Sequence, residues 1–384
     1  MKKIAFAFSL LSSFSISAQL VDVRIISSMD LNAVNISIQS GTYVLYLDGK
    51  LQNDSLVKKV FQLVLINDSI EVRIPGDTLG RFANFKILGL EEDAVFKIKP
   101  IQPISGTRVY DHSLTITVVN KLLQCVNFVA LDHYVAGVVE SESGGRTSKE
   151  FYKVQAILCR TYALAHLSRH VLEGFELCDG VHCQAYRGRP SDSKVLAAVK
   201  ETDGLALVDK GLNLITAAFF SNCGGQTANS EDVWLVALPY LRSVKDTFCL
   251  HSTNAQWKRK IDSEDWLNYL KFKHKYPVND SVACYKALNI TQGNRGVFYS
   301  YAGIRIPYKT IRSDWQLRSA YFSIEEARDS IIIRGRGYGH GVGLCQEGAI
   351  RMAKIGYSYQ WILDYYYKDI EIINLSKLKF FQEE

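Results

Sequence analysis

Glu142 is an acid placed where an apolar side chain is expected. Leu131, Tyr134, Val135, Val138 and Val139 follow the i, i+3, i+4, i+7, i+8 spacing of one helix face, and Glu142 continues it at i+11. At about 100° per residue Glu142 lies roughly 20° from Leu131, with Glu140 on roughly the opposite side. Burial disfavours the charged form of a carboxyl group and lets it carry a proton near neutral pH, the property a general acid needs. Gly144 and Gly145 then stop the helix, which leaves the carboxyl beside a loop. The structural alternative is a buried Glu paired with an Arg, and Arg160 is the natural partner.

Other residue sets invite chemistry. Glycine occupies every second position of Gly335-Arg336-Gly337-Tyr338-Gly339-His340-Gly341-Val342-Gly343, between a strand and a helix. Such density lets backbone approach a ligand or another segment closely. No start point in the run gives G-x-G-x-x-G, and no P-loop Lys-Ser/Thr follows, so nucleotide binding is not indicated. His340 sits at the centre of this loop and is a candidate site residue. Cys345 follows five residues later, but nothing around it resembles a thiol-protease signature. His170, Cys178, His182 and Cys183 supply two imidazoles and two thiols, the donor set of a closed tetrahedral zinc site; a Cys178–Cys183 disulfide or two free thiols are the alternatives. Ser221 stands before a Gly224-Gly225 turn without the G-x-S-x-G elbow of a nucleophilic serine, which suits substrate binding or a scaffold role.

The elements that must position these residues read as α+β. Residues 19 to about 100 form strands, among them Val21–Ile26, Tyr43–Leu47 and Ile70–Ile74, with Asp48-Gly49 as a turn. Leu114–Val119 and Cys125–Val129 extend the pattern. One helix carries Glu142. A second is predicted from Lys149 to His170, opened by a Thr147/Glu150 capping box, with Val154, Ile157, Leu158, Thr161 and Ala165 on its apolar face. Strands at Leu205–Val208, Ile215–Phe220 and Ile331–Arg334 follow, and helices at Ser263–Phe272, Gln346–Lys354 and Tyr359–Tyr367, before a last strand at Ile370–Ile373.

The chain of 384 residues has 47% hydrophobic and 22% charged residues, enough for a large core or two domains. A net charge of +6 without a Lys/Arg run interleaved with aromatics gives no case for nucleic acid. Met1-Lys2-Lys3, the apolar stretch Ile4–Ser17 and small residues up to Ala18 predict a secretory signal over residues 1–18, hence export. Export permits disulfides among the eight cysteines, and Cys223 with Cys249 is one pairing candidate.

Taken in order, these motifs resemble the stage II sporulation protein D family, the SpoIID/LytB-type cell-wall proteins, over roughly residues 105–373. Tyr134–Val139 followed by Glu142 is similar to that family's helix leading into a Glu-Met-Pro signature. Lys153-Val154-Gln155-Ala156 and Arg160-Thr161-Tyr162 resemble its K-A-Q-A and A-R-T-Y elements. Cys178-Asp179 and His182–Tyr186 resemble its C-D…H-C-Q-x-Y stretch. Ser221, Gly224-Gly225, Thr227 and Pro239-Tyr240-Leu241 resemble its next block, Gly335–Ala349 its G-R-G-x-G-H-G-x-G-M-S-Q-x-G-A block, and Trp361–Leu363 with Tyr365–Tyr367 its end. Three departures stand out: Ser143-Gly144 for Met-Pro, Cys159 for a small Ala, and Leu344-Cys345 for Met-Ser.

The residue patterns give a signal peptide (1–18) and a β-rich N-terminal domain (19–104), and the resemblance implies a mixed catalytic domain (105–373) followed by a tail (374–384). The resemblance also implies lytic transglycosylase activity on peptidoglycan glycan strands, associated with strands stripped of stem peptides. Glu142 is then the catalyst, and Arg160, Ser221, Gly339, His340, Gly341 and Gln346 are substrate-binding. No cofactor is needed for the chemistry, and His170, Cys178, His182 and Cys183 are expected to hold a structural zinc. The alternative implied by the LytB branch is a non-catalytic glycan-binding module that activates a cell-wall amidase; a hydrolytic muramidase is a third.

Overall fold

The computed structural model describes residues 19–56, 59–144 and 147–375. The expected signal peptide, Gly145 and most of the expected tail lie outside the described residues. The protein is α+β with a β-rich N-terminus, as the strand and helix patterns predict. Two compact units divide the chain, one ending at Tyr134 and the other starting at Val135.

The first unit is built from two antiparallel sheets. One runs, in spatial order, Leu20–Ile25, Leu122–Ala130, Ser113–Val119, Asn84–Gly89, Tyr43–Leu47 and Lys50–Leu56. The other runs Arg108–Asp111, Val95–Gln102, Ala33–Ser40, Val60–Ile66, Ser69–Ile74 and Asp77–Phe82. Alternate residues such as Val21, Val23 and Ile25 are buried, as the period of two demands. Phe61 from one sheet meets Phe85 from the other edge to face at 5.4 Å. Asp48 and Gly49 both adopt positive φ, as a two-residue hairpin turn requires. The boundary expected at 104 falls inside this unit: Arg108–Asp111, Ser113–Val119 and Leu122–Ala130 hydrogen-bond to strands that precede it.

Helix α1 (Leu131–Ser143) leads into the second unit. Helix α2 (Lys149–Ala165) is buried on most of its surface, including Val154, Ile157, Leu158 and Thr161. Its N-cap is Ser148, not the expected Thr147: Ser148 Oγ accepts from the Phe151 N–H at 3.3 Å. The helix also ends five residues early. His166 Nδ1 lies 2.6 Å from the Tyr162 carbonyl at the last turn, and the chain then turns so that His170 opens a short 3-10 segment. Ala165, expected inside, is exposed at this end.

Helix α3 (Ser193–Glu201) packs beside α2. The strand Leu205–Asp209 follows and pairs with Ile370–Asn374. The strand expected over 215–220 is only Phe219–Phe220, because its parallel partner is the two-residue Leu344–Cys345. After the short helix α4 (Ser230–Trp234), residues 256–336 make a three-stranded sheet covered by α5 (Ser263–His274), α6 (Ser281–Leu288) and α7 (Tyr308–Asp314). Trp266, Tyr276, Ile311, Phe322, Ile331 and Ile333 fill its core. The strand Ser330–Arg336 runs directly into the glycine loop, and α8 (Gln346–Lys354) and α9 (Tyr359–Tyr366) follow. Among the described residues no helix is long and apolar enough to cross a membrane.

Candidate active site

Val135, Ala136, Val138 and Val139 anchor the apolar face of α1, and Glu142 extends that face at the last turn, half-buried. Burial raises its carboxyl above the ordinary range; the Ala185 N–H and the positive charge of Arg187 oppose the rise more weakly. The Ala185 N–H donates to Glu142 Oε1 at 3.0 Å. The helix ends one residue later. Ser143 Oγ donates to the Val139 carbonyl at 2.5 Å, and Gly144, at φ +70°, returns its N–H to the Glu140 carbonyl.

Glu140 has a different task. Its carboxylate accepts from the Ser191 N–H and Oγ and from the Asp192 N–H, at 2.9 to 3.0 Å. It fixes the entrance to α3, whose N-cap is Asp192.

The first residues of α8 come to the same place. Gln346 Nε2 lies 3.4 Å from the Glu142 carbonyl and 3.5 Å from Gln155 Oε1 on α2. The next residue, Glu347, is a carboxylate missed from sequence. It accepts from Asn222 Nδ2 at 2.6 Å, Asn254 Nδ2 at 2.5 Å and Ser252 Oγ. Ser221 Oγ is 3.4 Å from Glu347 Oε1, and the Ser221 carbonyl accepts the Glu347 N–H. An acid in the first turn of a helix behind a glycine loop was the available signal.

Several expected site residues make contacts within the protein. Arg160 is 1% exposed, and its guanidinium donates to the carbonyls of Leu205 and Val199. These bonds tie α2 to α3 and the following strand. The ion pair between Arg160 and Glu142 is not formed; the cation that acts on Glu142 is Arg187.

His340 is held by backbone. Its Nδ1 accepts from the Val342 N–H at 3.1 Å, and Nε2 lies 3.1 Å from the Phe219 carbonyl. Both nitrogens are thus taken by backbone, in the neutral Nε2–H tautomer. The ring packs against Phe220 and Trp234, and burial holds its pKa down at about 4. The residue also lines a pocket shared with Asn229, Arg295 and Arg312.

The glycine loop folds against protein. Gly339 and Gly341, at φ +115° and +95°, face Phe220 and the Arg295 guanidinium, which side chains there would strike. Gly339 thus packs closely on the 218–224 segment and Gly341 on Arg295.

The metal candidates converge. One ligand atom from each of His170, Cys178, His182 and Cys183 lies within 4.8 Å of the others. His170 Nε2 is 3.2 Å from His182 Nδ1 and 3.5 Å from Cys183 Sγ. The other nitrogen of His170 meets Glu173 Oε1 at 2.5 Å, the carboxylate–imidazole pairing that orients a ligating histidine. Two thiols and two imidazole nitrogens this close together fit a closed four-ligand site. Ala185, the donor to Glu142, lies two residues beyond Cys183.

Comparison with known proteins follows the same residues. The profile of a family described as stage II sporulation protein matches residues 119–208, which contain Glu142, Arg160 and the metal-candidate quartet. The chain is 31% identical over 265 residues to stage II sporulation protein D of Bacillus subtilis, covering 65% of this chain and 76% of that protein. It is 30% identical over 303 residues to an uncharacterized protein of Brachyspira hyodysenteriae, covering 75% of this chain and 78% of that one. It is 26% identical over 283 residues to the amidase enhancer of Bacillus subtilis, covering 60% of this chain and 39% of that protein.

Proposed function

The chain belongs to the stage II sporulation protein D family, and on that footing we propose that it is an exported lytic transglycosylase that cuts the MurNAc–GlcNAc β-1,4 bond of peptidoglycan glycan strands. The observation that carries the reading is Glu142: half-buried at a helix end, raised in pKa by burial, and held through one carboxyl oxygen. An N–H donor on Oε1 favours the lone pair there, so the proton of the acid form rides on Oε2.

Glu142 gives that proton to the glycosidic oxygen as the bond from MurNAc C1 breaks. C1 becomes oxocarbenium-like. The carboxylate, now ionised, takes the proton of the MurNAc C6 hydroxyl, and O6 bonds to C1. The products are a GlcNAc 4-hydroxyl end and a 1,6-anhydroMurNAc end. No water is consumed, and Glu142 finishes protonated. One carboxyl group therefore suffices, with Gln346 and the Glu347 network beside it to contact sugar hydroxyls.

His170, Cys178, His182 and Cys183 would hold a zinc ion that supplies structural cross-linking rather than an open catalytic position. These residues brace the loop that carries the Ala185 N–H to Glu142.

The similarity to an amidase enhancer favours a second reading, a glycan-binding module that stimulates a cell-wall amidase. Purified protein incubated with intact and with peptide-stripped glycan separates the readings by mass spectrometry. Transglycosylase activity yields anhydroMurNAc ends. Muramidase activity yields reducing MurNAc ends, one water heavier. A stimulator yields neither alone, yet speeds peptide release when an amidase is added.

A further inference from the structure

A second donor cluster lies under the start of α8. Cys223, Asp246, Cys249 and Cys345 are all buried, and one ligand atom from each lies within 4.8 Å of the other three. Cys223 Sγ is 3.3 Å from Cys249 Sγ, unbonded, and 3.2 Å from Asp246 Oδ2. The four residues arrive from the turn at 221–225, the loop at 246–249 and the residue before α8. We propose that they form a metal site for a thiophilic divalent ion of the zinc class, bound by three thiolates and one carboxylate.

The ligand geometry suits this. Zn–S near 2.3 Å and Zn–O near 2.0–2.2 Å place tetrahedral ligand atoms roughly 3.5–3.8 Å apart. The donors already stand at that scale. Their surroundings are arranged for anions. The N–H groups of Cys223 and Gly348 point at Cys345 Sγ at 3.3 and 3.4 Å, and Cys345 is the N-cap of the nine-residue α8, at the positive end of its dipole. Asp246 Oδ2 accepts from Tyr366 Oη at 2.8 Å, and Oδ1 accepts from the Phe248 N–H at 2.8 Å, contacts that orient a ligating carboxylate. A side chain at Gly348 would collide with Asp246 and Tyr366, so the approach needs glycine.

A simple Cys223–Cys249 disulfide, the pairing considered from sequence, accounts for less. It leaves the Cys345 thiol and the Asp246 carboxyl buried against the bridge. A carboxylate out of water is costly without a cation. A bound ion uses all four donors, with the thiol protons released to solvent on binding. It also pins the first turn of α8, where Gln346 and Glu347 begin, to the turn that holds Ser221 and Asn222. The site is independent of the glycan-cleaving reading.

The test measures metal per chain on the full-length protein, with Cys345→Ser, Asp246→Asn and, to empty the other quartet, His182→Ala. Cys345→Ser is expected to lose one equivalent of zinc that His182→Ala retains. After cobalt(II) loading, the thiolate-to-metal charge-transfer absorption of the wild type should persist in His182→Ala. Should Cys345→Ser fail to fold, alkylation of the wild type decides: Cys223, Cys249 and Cys345 should be protected until a chelator is added, then all react. An unchanged metal content in Cys345→Ser overturns the proposal. So does a Cys223–Cys249 disulfide, found by mapping unreduced protein, with Cys345 reactive irrespective of chelator.

Discussion

The backbone N–H of Ala185 donates to Oε1 of Glu142 at 3.0 Å, joining the end of α1 to the loop that follows the His/Cys quartet. That contact holds one carboxyl oxygen, while burial raises the pKa of the group.

Activity should therefore require protonated Glu142 and fall as pH rises through its raised pKa. Arg187 is exposed, and its charge favours the carboxylate. Replacing it with Ala removes that pull, so the alkaline limb of the kcat/KM profile should move to higher pH. The displacement should shrink in high salt, which screens exposed charges. A limb that stays in place at low salt would disprove this assignment.

Two acids on one helix should separate cleanly. Glu140→Ala removes the acceptor for Ser191 and Asp192 and should cost about 1–3 kcal/mol in urea unfolding, as lost charge-assisted caps do. Its turnover per folded molecule should stay near wild type. A loss of activity as large as that from changing Glu142 would move Glu140 into the chemistry.

Arg160→Ala should act through stability. It strands the carbonyls of Leu205 and Val199 inside the core, at a cost of roughly 2–4 kcal/mol. Below its unfolding transition the variant should keep KM for glycan strands within a few-fold. A raised KM at unchanged stability would instead place Arg160 in the substrate site.

Much of this was readable in the chain, and the exceptions have a common cause. The 3.6-residue period set Glu142 on the buried face of α1, and α8 begins and ends where its pattern indicated. Glu347 is not legible locally because its partners Asn222, Ser252 and Asn254 are 93 to 125 residues away, and no local period reports them. The same holds for Arg160, whose acceptors lie 39 and 45 residues downstream. At the glycine loop, glycine density signals close approach without naming what approaches. Here it is the 218–224 segment and Arg295.

His340 should make stability sensitive to acid. An unfolded imidazole takes a proton below about pH 6.5, whereas the folded ring resists until about pH 4. Between these values the unfolded state binds more protons, so stability falls as pH drops from 6.5 to 4 and levels off below. The slope from this group reaches at most about 1.4 kcal/mol per pH unit. Urea unfolding of the wild type and His340→Gln across that window should show a shallower decline in the variant; parallel declines would contradict the neutral, backbone-bound ring.

Glu142→Gln tests the central claim most directly. The amide keeps an oxygen for the Ala185 N–H and removes a carboxylate that burial disfavours, so the variant should be at least as stable as wild type at neutral pH. On peptide-stripped glycan, mass spectrometry should find its release of 1,6-anhydroMurNAc ends reduced by roughly 10²–10⁴-fold, the usual worth of a positioned general acid–base group. Release at the wild-type rate from a folded Glu142→Gln protein would contradict the account.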